Sequence, residues 1–234
     1  MQLFYAYEVH EKHALLDAEE TRHCMRTLRK KVGDKVRFTD GMGYLYEGSI
    51  RSLTKKQCVL DILSKTQTQH LEEHYLHLVI APTKNISRIE WLLEKATELG
   101  VQKISLILCK RSERKKVRED RLQKIIISAA KQSLQTAFPR LESLVTFKEV
   151  LEAYTGFKNK YIAHCQSGNL EHFKTLIPKG EEVCILIGPE GDFSAEEVDV
   201  SLKYGFVSVG LGATRLRTET AGLYACSIVA ALNS

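Results

Sequence analysis

The chain lacks the signatures of several common classes. No apolar run in its 234 residues approaches the roughly 18 needed to cross a bilayer, so nothing is expected to span a membrane. The first ten residues carry neither a basic n-region nor a long apolar core, so no signal peptide is expected. The cysteines at 24, 58, 109, 165, 184 and 226 include no close pair, and most sit inside apolar segments. That spacing argues against zinc ligands or disulfides and fits reduced, buried thiols in a cytoplasmic protein. No pair of histidines has metal-ligand spacing on a helix, because His70 and His74 fall in a polar stretch, and no metal is expected. There is no G-x-x-x-x-G-K-[ST] phosphate loop and no G-x-S-x-G nucleophile elbow. Acidic residues are scarce in one place: residues 84–140 hold 14 Lys and Arg against 6 Asp and Glu. The whole chain is only +5, so its positive charge is concentrated there, as a patch that attracts a polyanion would be.

What is present is most informative near the C-terminus. Val183–Ile187 is a short apolar run rich in β-branched residues, which reads as a buried strand. It stops at Gly188, Pro189, Glu190 and Gly191. Ser194 with Glu197 then forms a capping box, which predicts a helix start. Val207–Val209 is a second buried strand, ended by Gly210 and Gly212, and a helix is predicted over 218–232. Two parallel strands thus end in glycine-bearing turns that feed helices, and in open α/β sheets ligands sit at such carboxyl ends. Gly210, Gly212 and Arg215 do not complete a dinucleotide fingerprint, since Arg215 replaces the third glycine. Two turns that merely connect strand to helix remain the bland alternative. Arg215, Arg217 and Glu219 in an apolar setting weigh against it, because charged groups packed between buried segments usually have a partner or a task.

The same residues carry a resemblance. Ile187 to Ser194, followed by Leu211, Gly212 and the run Leu216, Arg217, Thr218, Glu219, Thr220, Ala221, resembles the ribosomal RNA small subunit methyltransferase E family. Lys95–Val101 and Arg111 with Ser112 match upstream, so the likeness spans nearly the whole chain. There are two departures. Asp192 stands where the family usually has another glycine, and Gln135 lies near a position that is often basic. The resemblance implies a two-part α/β protein. Residues 1–70 would form a small PUA-like RNA-binding β-barrel. Residues 71–234 would form a parallel-sheet methyltransferase domain of the knotted SPOUT-like class, with a deep trefoil knot made by threading the last helix. Spacing alone would never suggest a knot, because true knots are essentially absent from proteins.

Read from the residues, the first part is a β-rich module with one helix over 18–28. Residues 3–7, 36–39, 44–50 and 58–63 read as strands, and Asp40–Gly43 signals a hairpin. Arg22, Arg26 and Arg29 fall at i, i+4 and i+7 on that helix, followed by Lys30. A solvated face is the ordinary reading, and beside a barrel a phosphate-contacting face becomes the better one. Residues 64–73 are polar and aperiodic and are expected to be a linker. From residue 75 strands and helices alternate, which predicts parallel pairing with helices on both faces. The strands are 76–82, 101–109 and 161–165, besides the two already named. One helix is capped by Ser87 with Glu90 and ended by Gly100, and a second runs from about Leu122 to Leu134. Trp91 lies off the first helix's apolar face, with core or interface burial as its default and base stacking as a minority reading.

The resemblance implies a reaction: S-adenosylmethionine-dependent methylation of N3 of one uridine in 16S rRNA, presented as naked rRNA or in the assembled small subunit. Ile187, Gly188, Glu190, Gly191, Leu211, Gly212, Leu216 and Thr220 would hold the cofactor. Uracil N3 must lose a proton before it attacks, which calls for a base or a group that stabilises the developing anion. Arg217 and Glu219 are the catalytic candidates, with Arg217 stabilising the anion and Glu219 orienting it or taking the proton. An Arg–Glu pair that braces the turn is the alternative. Arg22, Arg26, Arg29, Lys30, Arg111, Arg114 and Lys115 are candidates for RNA phosphates. His164, at a strand end pointing towards the proposed site, reads as a satisfied core or rim residue rather than a catalyst. Homodimerisation is implied, with the cofactor pocket near the subunit interface. The competing readings are a non-catalytic RNA-binding protein and a related methyltransferase acting on tRNA or a ribose 2′-OH.

Overall fold

A computed structural model of the chain describes residues 2–68, 76–166 and 169–233. They form two compact units, one of residues up to 71 together with Ile127–Phe138, the other of 72–126 and 139 onward.

In the first unit β1 (Leu3–Val9), β2 (His13–Leu16), β3 (Lys35–Thr39), β4 (Tyr44–Leu53) and β5 (Cys58–Gln67) close into a barrel in the order β1-β2-β5-β4-β3. Alternate residues such as Phe4, Ala6, Leu16, Phe38, Ile50 and Leu60 point inward and fill it, as the two-residue period of strands requires in a small barrel. The predicted hairpin joins β3 to β4, with Gly41 and Gly43 at φ 78 and 91. β2 was not anticipated. β5 runs to Gln67, so the first four residues of the expected linker are strand. The rest of that linker after Thr68, with His70, His74 and the expected boundary at 70/71, lies outside the described residues.

The predicted helix over 18–28 is not one helix. α1 (Ala18–Arg22) is capped by the Asp17 carboxylate, which accepts the Glu19 and Glu20 N–H groups at 2.9 and 2.8 Å. A single π turn follows at His23–Thr27, and Arg29 takes a left-handed φ of 52. The Leu28 N–H reaches back five residues to the His23 carbonyl, which breaks the α register. Arg22, Arg26 and Arg29 therefore do not share one α-helical face.

In the second unit six parallel strands take the order β11-β9-β10-β6-β7-β8. These are β6 (Leu76–Ile80), β7 (Lys103–Leu108), β8 (Arg140–Thr146), β9 (Lys160–Ala163), β10 (Val183–Ile187) and β11 (Val207–Val209). β8, and α4 (Phe147–Ala153) after it, were not anticipated. The buried strands face two cores in alternation. Leu78, Ile80, Ile185 and Ile187 meet α2 (Ile86–Glu98) and α7 (Thr218–Asn233). Val79, Cys184 and Leu186 meet α4 and α6 (Ala195–Lys203). Helices thus cover both faces, which is why these strands read as continuous apolar runs. Two shorter tasks fall to α3 (Glu119–Gln132), whose last six residues belong to the first unit, and to α5 (Phe173–Leu176).

Helix ends are set locally. Ser194 and Glu197 form the expected box: the Glu197 N–H donates to Ser194 Oγ at 3.2 Å, and the Ser194 N–H to the Glu197 carboxylate at 2.8 Å. For α2 the cap is Asn85, not Ser87, because Asn85 Oδ1 accepts both the Ser87 N–H and its hydroxyl. Gly222 lets α7 sit close: a Cβ there would stand 2.9 Å from Ile80 and 3.1 Å from Leu92. Trp91 is exposed rather than buried in this chain. Five cysteines are buried and Cys165 is exposed. Among the described residues, no helix is long and apolar enough to cross a membrane.

Candidate functional site

Three segments leave the carboxyl ends of β9, β10 and β11 and enclose one cavity of about 1000 Å³. Its volume lies at the upper end of the range for small-molecule sites, roughly 300–1000 Å³.

The wall after β10 is the most tightly held. Gly188 is tightly surrounded, since a Cβ would meet the Phe193 ring at 3.1 Å and the Phe193 nitrogen at 3.2 Å, so that residue would have to give by a few tenths of an ångström. The Pro189 carbonyl accepts the Asp192 N–H at 2.9 Å, and Asp192 takes a left-handed φ of 63. That conformation explains why a glycine would be at ease in its place. Glu190 Oε1 accepts the Lys84 N–H at 2.9 Å. The Arg111 guanidinium donates to the carbonyls of Gly191 and Phe193 at 2.8 and 3.2 Å, its stem lying over Gly191.

The wall after β9 carries no motif and was missed in the sequence beyond His164. His164, Cys165, Gln166, Asn169, Leu170 and His172 all line the cavity. The Cys165 N–H donates to Asp192 Oδ2 at 2.9 Å, and Gln166 Nε2 donates to the Phe193 carbonyl at 3.1 Å. The Gln166 N–H donates to His164 Nδ1 at 3.3 Å, so in the neutral ring the proton sits on Nε2, 2.9 Å from Ser208 Oγ. Both ring nitrogens are engaged, which leaves His164 a poor general base and supports the rim reading. Burial also pushes its pKa down.

The third wall begins where the Gly210 N–H donates to the Glu171 carbonyl and its own carbonyl accepts the Phe173 N–H, both at 2.9 Å. Beyond that root, residues 211–216 make no hydrogen bond among the described residues. Gly212 sits at φ 130, with open space where a Cβ would be. Arg215 and Arg217 are exposed and take part in no ion pair among the described residues.

Of the expected cofactor residues, Ile187, Gly188, Glu190, Leu211, Gly212 and Leu216 line the cavity, and so does Arg217. Gly191 lies against Arg111, and Thr220 is exposed on α7; neither is on the cavity wall. Glu219 is 7% exposed and off the wall. Its Oε1 lies 3.7 Å from Arg88 Nε, and its Oε2 is buried without a hydrogen bond. It does not pair with Arg217.

The basic candidates divide. Arg22, Arg26 and Arg29 are exposed, and Lys30 is half-buried with Nζ 3.4 Å from the Lys35 carbonyl. Arg111 and Arg114 spend their guanidinium groups on carbonyls, Arg114 on Thr83 at 3.0 Å and Lys84 at 2.5 Å. Lys115 remains exposed and, with Lys84 and Lys116, lines a shallower depression of about 420 Å³.

Comparison with known proteins agrees with this architecture. The model of the RNA methyltransferase domain matches residues 71–230, and that of the RNA methyltransferase PUA domain matches 16–63. The ribosomal RNA small subunit methyltransferase E of Bacillus subtilis is 27% identical over 226 residues, which cover 92% of this chain and 88% of that protein. A probable rRNA-methyltransferase of Porphyromonas gingivalis superposes with a TM-score of 0.92 at 36% identity, covering 100% of this chain and 98% of that one. The ribosomal RNA small subunit methyltransferase E of Neisseria gonorrhoeae, solved bound to S-adenosyl methionine, superposes with a TM-score of 0.82 at 27% identity, with the same coverage.

Proposed function

Since the chain belongs to the RNA methyltransferase family, within its ribosomal RNA small subunit methyltransferase E group, we propose that it methylates N3 of one uridine of 16S rRNA, using S-adenosylmethionine. The carrying observation is the convergence of three strand-end segments on one cavity, two of them bearing the family's motifs. The residues present fit such a cofactor. Ile187, Leu211 and Leu216 offer apolar contact to an adenosine. The backbone of residues 211–216 carries polar groups that are unpaired among the described residues, and Gly212 leaves space for close approach.

When bound, S-adenosylmethionine supplies a methyl carbon already activated by its sulfonium, so the protein's task is alignment and charge. Uracil N3 would pass its proton to solvent water, and its freed electron pair would form the new bond to the methyl carbon as the carbon–sulfur pair returns to sulfur. N3 lies on the Watson–Crick edge, so the base is read unpaired or flipped out. Arg217, exposed on the cavity wall, is placed to stabilise negative charge on the uracil carbonyls. Glu219, against Arg88, is better placed to brace the start of α7 than to take the proton. Glu219→Gln with full turnover would support that division.

We assign residues 1–70 to a PUA-like RNA-binding domain and 71–234 to the methyltransferase domain. Arg22, Arg26, Lys115 and their neighbours would contact phosphates of rRNA or of the assembled small subunit. A deep trefoil knot through α7, a cytoplasmic homodimer and independence from metals complete the reading. The test is mass spectrometry of nucleosides after incubating small subunits and naked 16S rRNA with protein and cofactor. 3-Methyluridine is expected. A 2′-O-methylated nucleoside, or product only on tRNA, would move the assignment to a sister activity. RNA binding without any product would leave a non-catalytic binder.

A further inference from the structure

Asp192 is a carboxylate of the cavity wall that is anchored through both oxygens and has no cationic partner among the described residues. It lines the cavity beside Glu190, whose own Oε1 is engaged by the Lys84 N–H. Its left-handed backbone and two anchors hold it: Oδ1 accepts the Phe193 N–H at 2.8 Å and Oδ2 the Cys165 N–H at 2.9 Å. No Lys, Arg or His nitrogen lies within 4.0 Å of it among the described residues. An ionised carboxylate offers about four acceptor positions, and two backbone N–H groups leave the others open. Of the exposed cations of the cavity, Arg215 belongs to the unbraced segment after β11 and Arg217 to the entry of α7, where its carbonyl accepts the Ala221 N–H at 2.8 Å. A negative charge held on one wall, with no cationic nitrogen within 4.0 Å among the described residues, favours a positively charged ligand.

We propose that Asp192 is a specificity-determining residue that makes the cavity prefer the cationic sulfonium cofactor over its neutral thioether product. The inference rests on the cofactor reading given above. Methyl transfer removes the positive charge from sulfur, so a fixed carboxylate loses its attraction at the moment of product formation. Asp192 would then favour loading and ease product release. Because its anchors join the turn after β10 to the segment after β9, it also sets the spacing of two cavity walls. That second task acts on both ligands alike, and the ratio of their affinities separates it from the electrostatic one.

The experiment is calorimetric titration of the full chain and of Asp192→Asn and Asp192→Gly with three probes. These are S-adenosylmethionine, S-adenosylhomocysteine, and sinefungin, which keeps a cation near the position of the sulfonium. Glycine suits a φ of 63, so Asp192→Gly is expected to fold even if the asparagine variant does not. The expected result is a loss of about threefold to tenfold in affinity for the two cationic ligands, with the thioether changed less than about twofold. Equal losses for all three, or none, would overturn the proposal and leave Asp192 as a wall latch. A folded wild-type chain that binds none of the probes would overturn the cofactor reading itself, and this proposal with it.

Discussion

The turns after β10 and β11 lie either side of β9 and meet the same cavity, yet only the first is braced. Residues 188–193 receive Arg111, Lys84, Cys165 and Gln166 from three other segments. Residues 211–216 hang between the Gly210 anchors and the first turn of α7, with no hydrogen bond of their own among the described residues. The first wall is preorganised, so a ligand meets it without reordering the chain. The second has the attributes of a locally weak segment: exposed backbone and few contacts. Closing it on a ligand costs conformational entropy, which the contacts made there must offset. The comparison places affinity mainly on the braced wall and chemistry on the adjustable one.

The largest expected effect tests the adjustable wall. Arg217→Ala should lower single-turnover methyl transfer about 10²- to 10³-fold while cofactor affinity stays within about threefold, because the lost interaction is made with charge that develops in the reaction. Its exposure predicts an unchanged melting temperature. A fall in cofactor affinity with unaltered transfer would break the division of labour. Next come the glycines. Gly188→Ala drives a Cβ against the Phe193 ring and backbone nitrogen, which should cost about 1–3 kcal/mol, read as a melting shift of about 2–4 °C per kcal/mol. Gly212→Ala meets open space and pays only for its φ of 130, at about 1 kcal/mol. A larger shift at Gly212 than at Gly188 would show that the segment after β11 is held by contacts formed only in solution.

A smaller contrast compares two arginines. Arg111→Ala removes two bonds to carbonyls of the braced turn. Because the site is exposed, the cost should be near 1 kcal/mol, with cofactor affinity reduced about fivefold. Arg215→Ala, with no ion pair among the described residues, should stay within about 0.5 kcal/mol of the parent. Thermal melts and calorimetry on both variants measure the difference between walls directly.

The braced wall was also the more legible in sequence, though its braces were not. β10 and the Ser194–Glu197 box follow from a continuous apolar run and a three-residue spacing, both local signals, whereas β11, expected as a second buried strand, is an edge strand reading Val-Ser-Val with Val207 exposed. β8 was missed because an edge strand reading Arg-Leu-Glu-Ser-Leu-Val-Thr is half-exposed and lacks a clean period. The π turn at His23–Thr27 and the positive φ of Arg29 have no compositional mark, so the arginine stripe looked continuous. The segment after β9 carries neither glycine pair nor charge motif, and only its place after a buried strand could have flagged it. Arg111 reaches Gly191 across 80 positions, and Glu219 finds Arg88 instead of its near neighbour Arg217. Such pairings are set by packing, which spacing does not reveal.

The smallest expected effect links the braced turn to pH through His164. Burial holds this imidazole below its usual range, while nearby Asp192 works in the opposite direction. A histidine whose folded pKa is lowered binds its proton more readily in the unfolded chain. Stability is then fully present above the ordinary value of about 6.5 and is lost as pH falls below it, toward the lowered folded value. Protonating Nδ1 removes the acceptor for the Gln166 N–H, and Gln166 in turn donates to the Phe193 carbonyl of the braced turn. Acid should therefore loosen the wall after β9 before it unfolds the sheet. Cofactor affinity followed by calorimetry should hold through about pH 6.5 and decline modestly only as pH falls to the lowered folded value in the parent, with the decline muted in His164→Gln, which cannot take up the proton. An undiminished acid decline in that variant would assign it elsewhere on the cavity, and leave the two walls distinguished by bracing alone.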